Sequence, residues 1–317
     1  MIDILFTDTH FGVKQNSVTW LNSQLDFIYK QLIPYIESLD DEVRLIHLGD
    51  VFDSRSSIST MVASKVLDAF KSLRSKVKKF IIIAGNHDFY SPNSNEIDTL
   101  NLIFQNIDIE LITKGIHIDD DCIYVPWYSW GDEIIQDVIY QHGIKYIFTH
   151  ADIVNEPIKY KNVAVFSGHI HIPELKQNSY NLGSCYSIDF GDANQERGFY
   201  VLKNNKLDFI PNTQSIKFWR FYDKDIFEID FENISNRDYI EIYLDKNNLS
   251  NEKYIGKLDI LSNKYKNLWV IPKTAQSINE DYKFEGYDIK SITSQIIPEN
   301  LKEKFNQILN KIEGKYE

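Results

Sequence analysis

The chain has 317 residues, of which 43% are hydrophobic and 25% charged, a composition typical of globular proteins with one large domain and a smaller companion. The formal net charge of −12 argues against a protein that binds nucleic acid through its overall field, although bound cations can supply positive charge locally. No apolar run approaches the roughly 18 residues of a membrane span, no signal peptide precedes the first strand pattern, and two cysteines make no disulfide framework. We therefore expect a cytoplasmic protein without membrane contact.

The first two-thirds of the chain alternates between strand and helix patterns. Continuous apolar runs that end abruptly in polar residues are typical of buried parallel strands, and apolar residues at helical spacing lie between them. Strands are predicted at 2–7, 44–48, 80–83, 107–112, 116–127, 145–149 and 163–167, and helices at 18–39, 60–73, 96–104 and 134–141. Short alternating segments at 180–182, 198–202 and 207–210 then indicate antiparallel strands. The pattern predicts an α/β protein built as an α+β sandwich, a two-sheet core flanked by helices.

The remainder of the chain predicts two further parts. A boundary is expected at 211–213, which gives a first domain at 1–213 and a small α+β domain at 214–297. In the second part we expect strands at 226–231, 239–244 and 267–271 and a helix at 251–263. A C-terminal amphipathic helix is expected within 298–317, because apolar residues recur there at helical spacing.

Metal-ligand residue types follow five of the predicted strands. They are Asp8 and His10, Asp50, Asn86 and His87, His150, and His169 and His171. Because the carboxyl ends of parallel strands meet at one edge of a sheet, these side chains are expected to converge. Carboxylate, imidazole and amide oxygen suit manganese, iron or zinc, and the lack of cysteine argues against a structural zinc cage.

Enzymes that catalyse displacement at phosphorus often use two metal ions held close together. Asp50 is the candidate for the carboxylate that bridges the two ions. Any one of these histidines alone would more often be an ordinary hydrogen-bonded residue, so the hypothesis depends on the repetition at five strand ends. The remaining histidines, His47, His117 and His142, receive no role.

The order Asp-x-His, Gly-Asp-x-x-Asp, Gly-Asn-His-Asp, His and Gly-His-x-His across residues 8–171 resembles the calcineurin-like metallophosphoesterase superfamily. The following segment, with Tyr-Asn-Leu-Gly-Ser at 180–184, Asp-Phe-Gly-Asp at 189–192 and Glu-Arg-Gly-Phe at 196–199, is similar to SbcD-type DNA double-strand-break repair nucleases. It looks most like the recombination endonuclease subunits of tailed phages. Many relatives have glycine where this chain has Thr149.

The resemblance implies a role for each matching residue. One metal would be held by Asp8, His10, Asp50 and His171, and the second by Asp50, Asn86, His150 and His169. His87 would contact the scissile phosphate or leaving group without binding metal, and we hypothesise that the Asp53 carboxylate orients its imidazole.

By resemblance, the function is a two-metal, manganese-dependent DNA exonuclease or endonuclease acting in DNA repair, recombination or replication; magnesium, iron or zinc are alternative metals. The implied partners are double-stranded DNA ends, single-stranded DNA, an SbcC-like coiled-coil ATPase and a second copy of the chain. The C-terminal helix either docks on that ATPase or closes the small domain's own core. The alternatives are a small-molecule phosphatase or cyclic-nucleotide phosphodiesterase of the same superfamily, and a non-catalytic scaffold for DNA ends.

Overall fold

The computed structural model of the chain describes residues 1–91, 93–129, 138–139, 143–153, 162–223 and 225–273. The expected C-terminal helix within 298–317 lies outside the described residues, as does most of the helix expected at 134–141. No helix in the described part of the chain has both the length and the apolar character needed to cross a membrane.

The described strands and helices are numbered in chain order. The strands are β1 (Ile2–Phe6), β2 (Val43–His47), β3 (Lys79–Ile83), β4 (Phe89–Ser91), β5 (Ser94–Asp98), β6 (Glu110–Ile112), β7 (His117–Asp119), β8 (Cys122–Val125), β9 (Tyr146–Thr149), β10 (Ala164–Ser167), β11 (Glu174–Lys176), β12 (Ser179–Asn181), β13 (Gly198–Lys203), β14 (Lys206–Pro211), β15 (Phe218–Tyr222), β16 (Tyr239–Leu244) and β17 (Leu268–Pro272). The helices are α1 (Val18–Phe27), α2 (Ile33–Glu37), α3 (Thr60–Arg74), α4 (Thr99–Phe104), α5 (Asp225–Glu228) and α6 (Glu252–Lys264).

Two six-stranded sheets form the core. The first has the order β14-β13-β1-β2-β3-β6 and the second β11-β12-β10-β9-β8-β7. In the first sheet β1, β2, β3 and β6 are parallel, and β13 and β14 pair antiparallel on the other side of β1. In the second sheet β12, β10, β9 and β8 are parallel, and both edge strands, β11 and β7, are antiparallel. Leu5, Ile46 and Ile81 of the first sheet share a buried cluster with Phe148 and Phe166 of the second. The predicted two-sheet sandwich is therefore confirmed, and the protein is a mixed α/β fold.

Helices cover the outer face of the first sheet. The predicted helix at 18–39 is real, but it consists of α1, a π-helical turn at Ile28–Leu32 and α2. Helix α3 begins where Ser59 Oγ accepts a hydrogen bond from the Val62 N–H at 3.2 Å. Phe27 and Phe70 from these helices are fully buried against the sheet, so burial of their apolar faces holds the helices in place.

Three sequence predictions need correction. The helix expected at 96–104 begins only at Thr99, because Ser94–Asp98 pairs with β4 as a ribbon and Asp98 then caps α4. The strand expected at 116–127 is the hairpin β7–β8, which turns at Asp120 with a left-handed φ of 52°. The strand expected at 226–231 is wrong, since α5 and a 3-10 turn occupy that segment.

A separate three-stranded parallel sheet, in the order β15-β16-β17, follows the sandwich. Its strand β15 was not predicted, whereas β16, β17 and α6 match the expected elements within a few residues. Ile240 and Ile242 pack against Leu261 of α6. The sheet meets the sandwich where Trp20 of α1 stacks on Phe218, with ring centroids 5.6 Å apart.

Candidate metal centre

The structure brings the seven predicted metal ligands to one edge of the sandwich. Asp8 and His10 follow β1, Asp50 follows β2, Asn86 follows β3, His150 follows β9, and His169 and His171 follow β10. All five are parallel strands in the centres of the two sheets, so their carboxyl ends open onto the same crevice. The site is thus assembled from the turns that leave both sheets.

One group of ligand atoms consists of Asp8, His10 and His171, whose ligand atoms lie within 4.8 Å of one another. The Nε2 atoms of His10 and His171 are 3.1 Å apart, and Asp8 Oδ1 is 3.8 Å from each of them. Two imidazole nitrogens at this distance can share at most one proton, so at least one lone pair faces the group.

A second group consists of Asp50, His150 and His169. Asp50 Oδ2 is 3.3 Å from His150 Nε2, and Asn86 Oδ1 lies 3.2 Å from His150 Nε2 and 3.0 Å from His169 Nδ1. Asp50 Oδ2 is also 3.7 Å from His10 Nε2 in the first group. The carboxylate of Asp50 therefore lies between the two groups.

Several of these residues have an unusual backbone conformation. The φ angles of Asp8, His10, Asp50 and His169 are 53°, 38°, 55° and 80°, all in the left-handed region. Such conformations cost on the order of 1–3 kcal/mol each and persist only where the surrounding structure enforces them. Their concentration at one crevice indicates a site whose side-chain directions are set by the fold.

The electrostatics of the crevice keep its carboxylates ionised. Burial by itself raises the pKa of Asp50, but His150 and His10 more than compensate and hold it well below its ordinary value. Burial lowers the pKa of His150, and the charge and hydrogen bond of Asp50 outweigh that effect and raise it to about 9. For Asp8, the attraction of His10, His150 and His171 likewise overcomes burial and lowers the pKa.

The donor set fits a pair of divalent cations. Buried ionised carboxylates, facing imidazole nitrogens and an amide oxygen are ligands for borderline-hard divalent metals. A third group of ligand atoms, from His10, Asp50 and His87, overlaps the other two, so the crevice offers more donors than one ion needs.

Two glycines allow the turns that carry the candidate ligands to pack closely against one another. Gly49 has a φ of +105°, and a Cβ there would lie 2.5 Å from His150 Nδ1. At Gly168 a Cβ would lie 2.2 Å from Thr7 Oγ1 and 2.8 Å from Asp8 Oδ2. Real Cβ atoms do not occupy such positions, so both glycines are required by the packing of the ligand turns.

His87 lies at the rim, and its contact differs from the one expected. Its Nδ1 is 2.6 Å from the backbone carbonyl of Asp53, not from the carboxylate. The Asp53 carboxylate instead lies 3.7 Å from Nδ1 of His10. The hypothesis that this carboxylate orients the His87 ring is therefore corrected, because the main chain makes that contact.

Three supporting residues were not identified from the sequence. Asp88 is fully buried and accepts hydrogen bonds from backbone N–H groups in the turns after β2 and β3. Gln24 of α1 donates to the carbonyls of Thr9 at 2.8 Å and His10 at 3.2 Å. The ring of Trp127 lies 4.5 Å from that of His169. Asp88 belongs to the Gly-Asn-His-Asp motif, whereas the other two had no sequence signal.

Two of the histidines left without a role lie outside the crevice. His47 is fully buried within β2, where its Nε2 lies 3.0 Å from Thr9 Oγ1 and its Nδ1 accepts the Gly49 N–H. His117 is partly exposed on β7 and pairs with Glu110 at 2.7 Å. His142 lies outside the described residues.

Comparison with known proteins identifies the family. The model of the calcineurin-like phosphoesterase family matches residues 4–173, more than half of the chain and the whole span of the crevice residues. The chain belongs to the calcineurin-like phosphoesterase family. Members of this family act as hydrolases on phosphate esters, and the paired ligand groups described above are where this phosphoesterase would hold two divalent metals.

This phosphoesterase is also similar to two known proteins. It is similar to "Exonuclease subunit 1" of Enterobacteria phage T4, with 25% identity over 230 residues, or 65% of this chain and 66% of that protein. The chain thus matches just under two thirds of that relative's length. Among solved structures, an archaeal phosphodiesterase described as novel matches 67% of this chain and 99% of its own, at 15% identity and a TM-score of 0.35.

Proposed function

We propose that this phosphoesterase is a two-metal, manganese-dependent DNA nuclease that hydrolyses phosphodiester bonds. The observation that carries the proposal is the position of Asp50, 3.3 Å from His150 and 3.7 Å from His10, between two groups of ligand atoms. A carboxylate placed this way suits a pair of neighbouring ions, which is the arrangement used for in-line displacement at phosphorus.

The residues would be divided between the ions in the way that the distances suggest. Asp8, His10 and His171 would hold one ion, His150, His169 and Asn86 the other, and Asp50 would contact both. Two divalent ions held by these residues would supply a water of lowered pKa and positive charge facing the phosphate. The mixed oxygen and nitrogen donors favour manganese over magnesium here. The buried walls exclude bulk water from these side chains and strengthen their attraction for cations.

His87 would act on the leaving group. Its Nδ1–H donates to the Asp53 carbonyl at 2.6 Å, which fixes the ring and leaves Nε2 as the free nitrogen. In the imidazolium form that nitrogen can donate a proton to the 3′-oxygen as it departs. His87 is half-buried at the rim, where a polynucleotide has access.

The choice of DNA over other phosphate esters rests on the relative named as a phage exonuclease subunit. That name also motivates the proposal of a complex, in which the partner is an SbcC-like coiled-coil ATPase and the nuclease is a homodimer. Residues 214–297 would then form a capping domain that contacts DNA, and residues 298–317 would either dock on the ATPase or complete that domain's core.

A manganese-dependent nuclease assay tests the proposal. Wild-type protein is expected to degrade linear duplex DNA with manganese and to stop on chelation, whereas His87→Ala should bind manganese but lose at least about 100-fold in turnover, the range of general acid catalysis. His117→Ala is the matched control, because that histidine lies on β7 outside the crevice.

The same assay separates the alternatives. Faster hydrolysis of p-nitrophenyl phosphate than of bis-p-nitrophenyl phosphate, with no action on DNA, would favour a phosphatase. DNA binding without turnover of any ester would favour a scaffold. Metal analysis of purified protein is expected to find about two ions per chain for the nuclease.

A further inference from the structure

A positively charged groove lies between α1 and the three-stranded sheet β15-β16-β17, called the small sheet below. It has a volume of about 490 Å³, and its lining includes three cationic side chains and three amide side chains: Arg237, Lys264, Lys266, Asn22, Asn236 and Asn267. None of its lining residues is acidic, as far as the described ranges show. In a chain with a net charge of −12, such a concentration of cations and amides is unexpected.

The charge of the groove is only partly neutralised. Arg237 pairs with Asp26 at 2.9 Å, and Asp26 is shared with Lys30 at 2.7 Å, so these three groups retain one positive charge. Lys264 Nζ lies over the Tyr265 ring and donates to the Phe231 carbonyl at 3.3 Å, neither of which cancels its charge. Asp230 and Glu232 attract Lys264 through space but do not line the groove. The exposed side chain of Lys266 makes no ion pair or hydrogen bond within the described part of the chain, which leaves its ammonium group available.

The groove is also pre-organised. The Arg237 guanidinium donates to the Gln214 carbonyl at 2.8 Å, and the Asn267 side chain donates to the Arg237 carbonyl at 3.2 Å. These contacts join the segment before β16 to the segment before β17, so Arg237 and Lys266 lie on two segments that are held together. Fixed cations beside amide groups are typical of sites that bind phosphate oxygens.

Helix α1 separates the groove from the candidate metal centre. Asn22 lines the groove, whereas Gln24, about 200° further round the helix, donates to the Thr9 and His10 carbonyls beside the metal ligands. The two sites therefore lie on opposite sides of a helix about 10 Å across. Ser23 Oγ accepts the Ile216 N–H at 2.8 Å, which attaches the same helix to the small sheet.

We propose that this groove binds the phosphodiester backbone of the DNA substrate a few nucleotides from the scissile bond. The inference rests on the proposed nuclease function and adds a location for substrate contacts outside the metal centre. Phosphate contacts of this kind position a substrate without reading its sequence. They also account for an acidic protein that binds a polyanion, because the affinity comes from a local cluster.

The test measures binding separately from hydrolysis. Fluorescence anisotropy of a labelled DNA duplex in EDTA compares wild type with Lys264→Gln/Lys266→Gln and with Lys266→Gln alone. The double variant is expected to weaken binding roughly tenfold and to reduce the slope of log K against log salt by about 1.8, since each phosphate contact contributes about 0.9. The single variant removes a side chain without described partners, so it reports on the groove even if the double variant unfolds.

The matched control is Lys246→Gln/Lys253→Gln. It makes the same charge change on exposed lysines after β16 and in the first turn of α6, at the opposite end of the small sheet. Unchanged affinity in the control with weaker binding in the groove variants supports the proposal. Equal losses in both pairs, or no loss in the groove variants, would overturn it. If the wild-type protein binds DNA through the groove but does not cleave it, the proposed nuclease function is wrong and the proposed DNA-binding groove is supported.

Discussion

The backbone N–H of Asp50 donates a hydrogen bond of 2.9 Å to the carboxylate of Asp88. The same carboxylate accepts the N–H groups of Val51 at 3.0 Å and Gly85 at 2.9 Å. Burial, with a further contribution from Asp50, raises the pKa of Asp88 to about 7. Asp88 therefore connects the turn that contains Asp50, the candidate bridging ligand, to the turn that contains Asn86 and His87. Its own carboxylate does not face the crevice.

We expect Asp88→Asn to weaken manganese binding by about 10- to 100-fold, the usual range for residues that orient metal ligands. An amide offers one acceptor oxygen and turns an NH₂ group towards backbone donors, so at least one N–H loses its partner. The free energy of unfolding should fall by about 1–3 kcal/mol. Chelator competition and urea denaturation measure the two effects.

Asp98→Asn is the control for Asp88→Asn. Asp98 accepts the Asn101 N–H at 2.7 Å as the cap of α4, and it belongs to none of the groups of candidate ligand atoms. Because asparagine caps helices about as well as aspartate, this variant is expected to lose no more than about 0.5 kcal/mol of stability and to keep its manganese affinity. Wild-type manganese affinity in Asp88→Asn would contradict the positioning role.

Gly168→Ala is expected to reduce turnover about 100-fold, because the added Cβ would displace Thr7 or Asp8 and shifts of about 1 Å in a site have effects of this size. Gly256→Ala in α6 has no atom within 4 Å of the new Cβ and should gain up to about 1 kcal/mol of stability. Hydrolysis of bis-p-nitrophenyl phosphate provides the comparison. Turnover of Gly168→Ala within a few-fold of wild type would show that the turn has more room than the structure indicates.

Asp53→Asn should retain turnover within about threefold, or roughly 0.6 kcal/mol. The reason is that His87 donates to the backbone carbonyl of residue 53, which the substitution leaves in place. The lost negative charge, 3.7 Å from Nδ1 of His10, should instead appear as weaker manganese binding. Steady-state kinetics at several manganese concentrations distinguish these effects, and a large fall in turnover at saturating metal would restore the carboxylate hypothesis.

His47 gives the metal-free protein a pH-dependent stability. Burial lowers its pKa from 6.5 to about 3, so the unfolded chain binds a proton between these values that the folded chain does not. Its contribution to stability therefore falls as the pH drops below 6.5, by about 1.4 kcal/mol between pH 7.5 and 5.5. Urea denaturation in EDTA at both pH values should show this loss reduced in His47→Gln; parallel profiles would contradict a buried neutral imidazole.

Local sequence patterns failed where two conformations satisfy the same pattern. The spacing of Ile226 and Phe231 is compatible with a strand, yet α5 and a 3-10 turn bury both residues against the small sheet. Similarly, Ser94–Asp98 contains few apolar residues, and only its pairing with Phe89–Ser91 makes it a strand. In both cases the deciding interactions are with residues distant in sequence or on another element.

The sequence by itself determined the two-sheet sandwich and the identity of the residues at its open edge. Each ligand turn directly follows a buried apolar strand, so strand, turn and ligand are encoded within about ten residues. Only the tertiary structure decided that Asp50 lies between two groups of ligands, that Asp88 joins two of the turns, and that the Asp53 main chain contacts His87. Those relationships join segments far apart in the chain, and side-chain distances of 3–4 Å depend on how the sheets pack rather than on any local pattern.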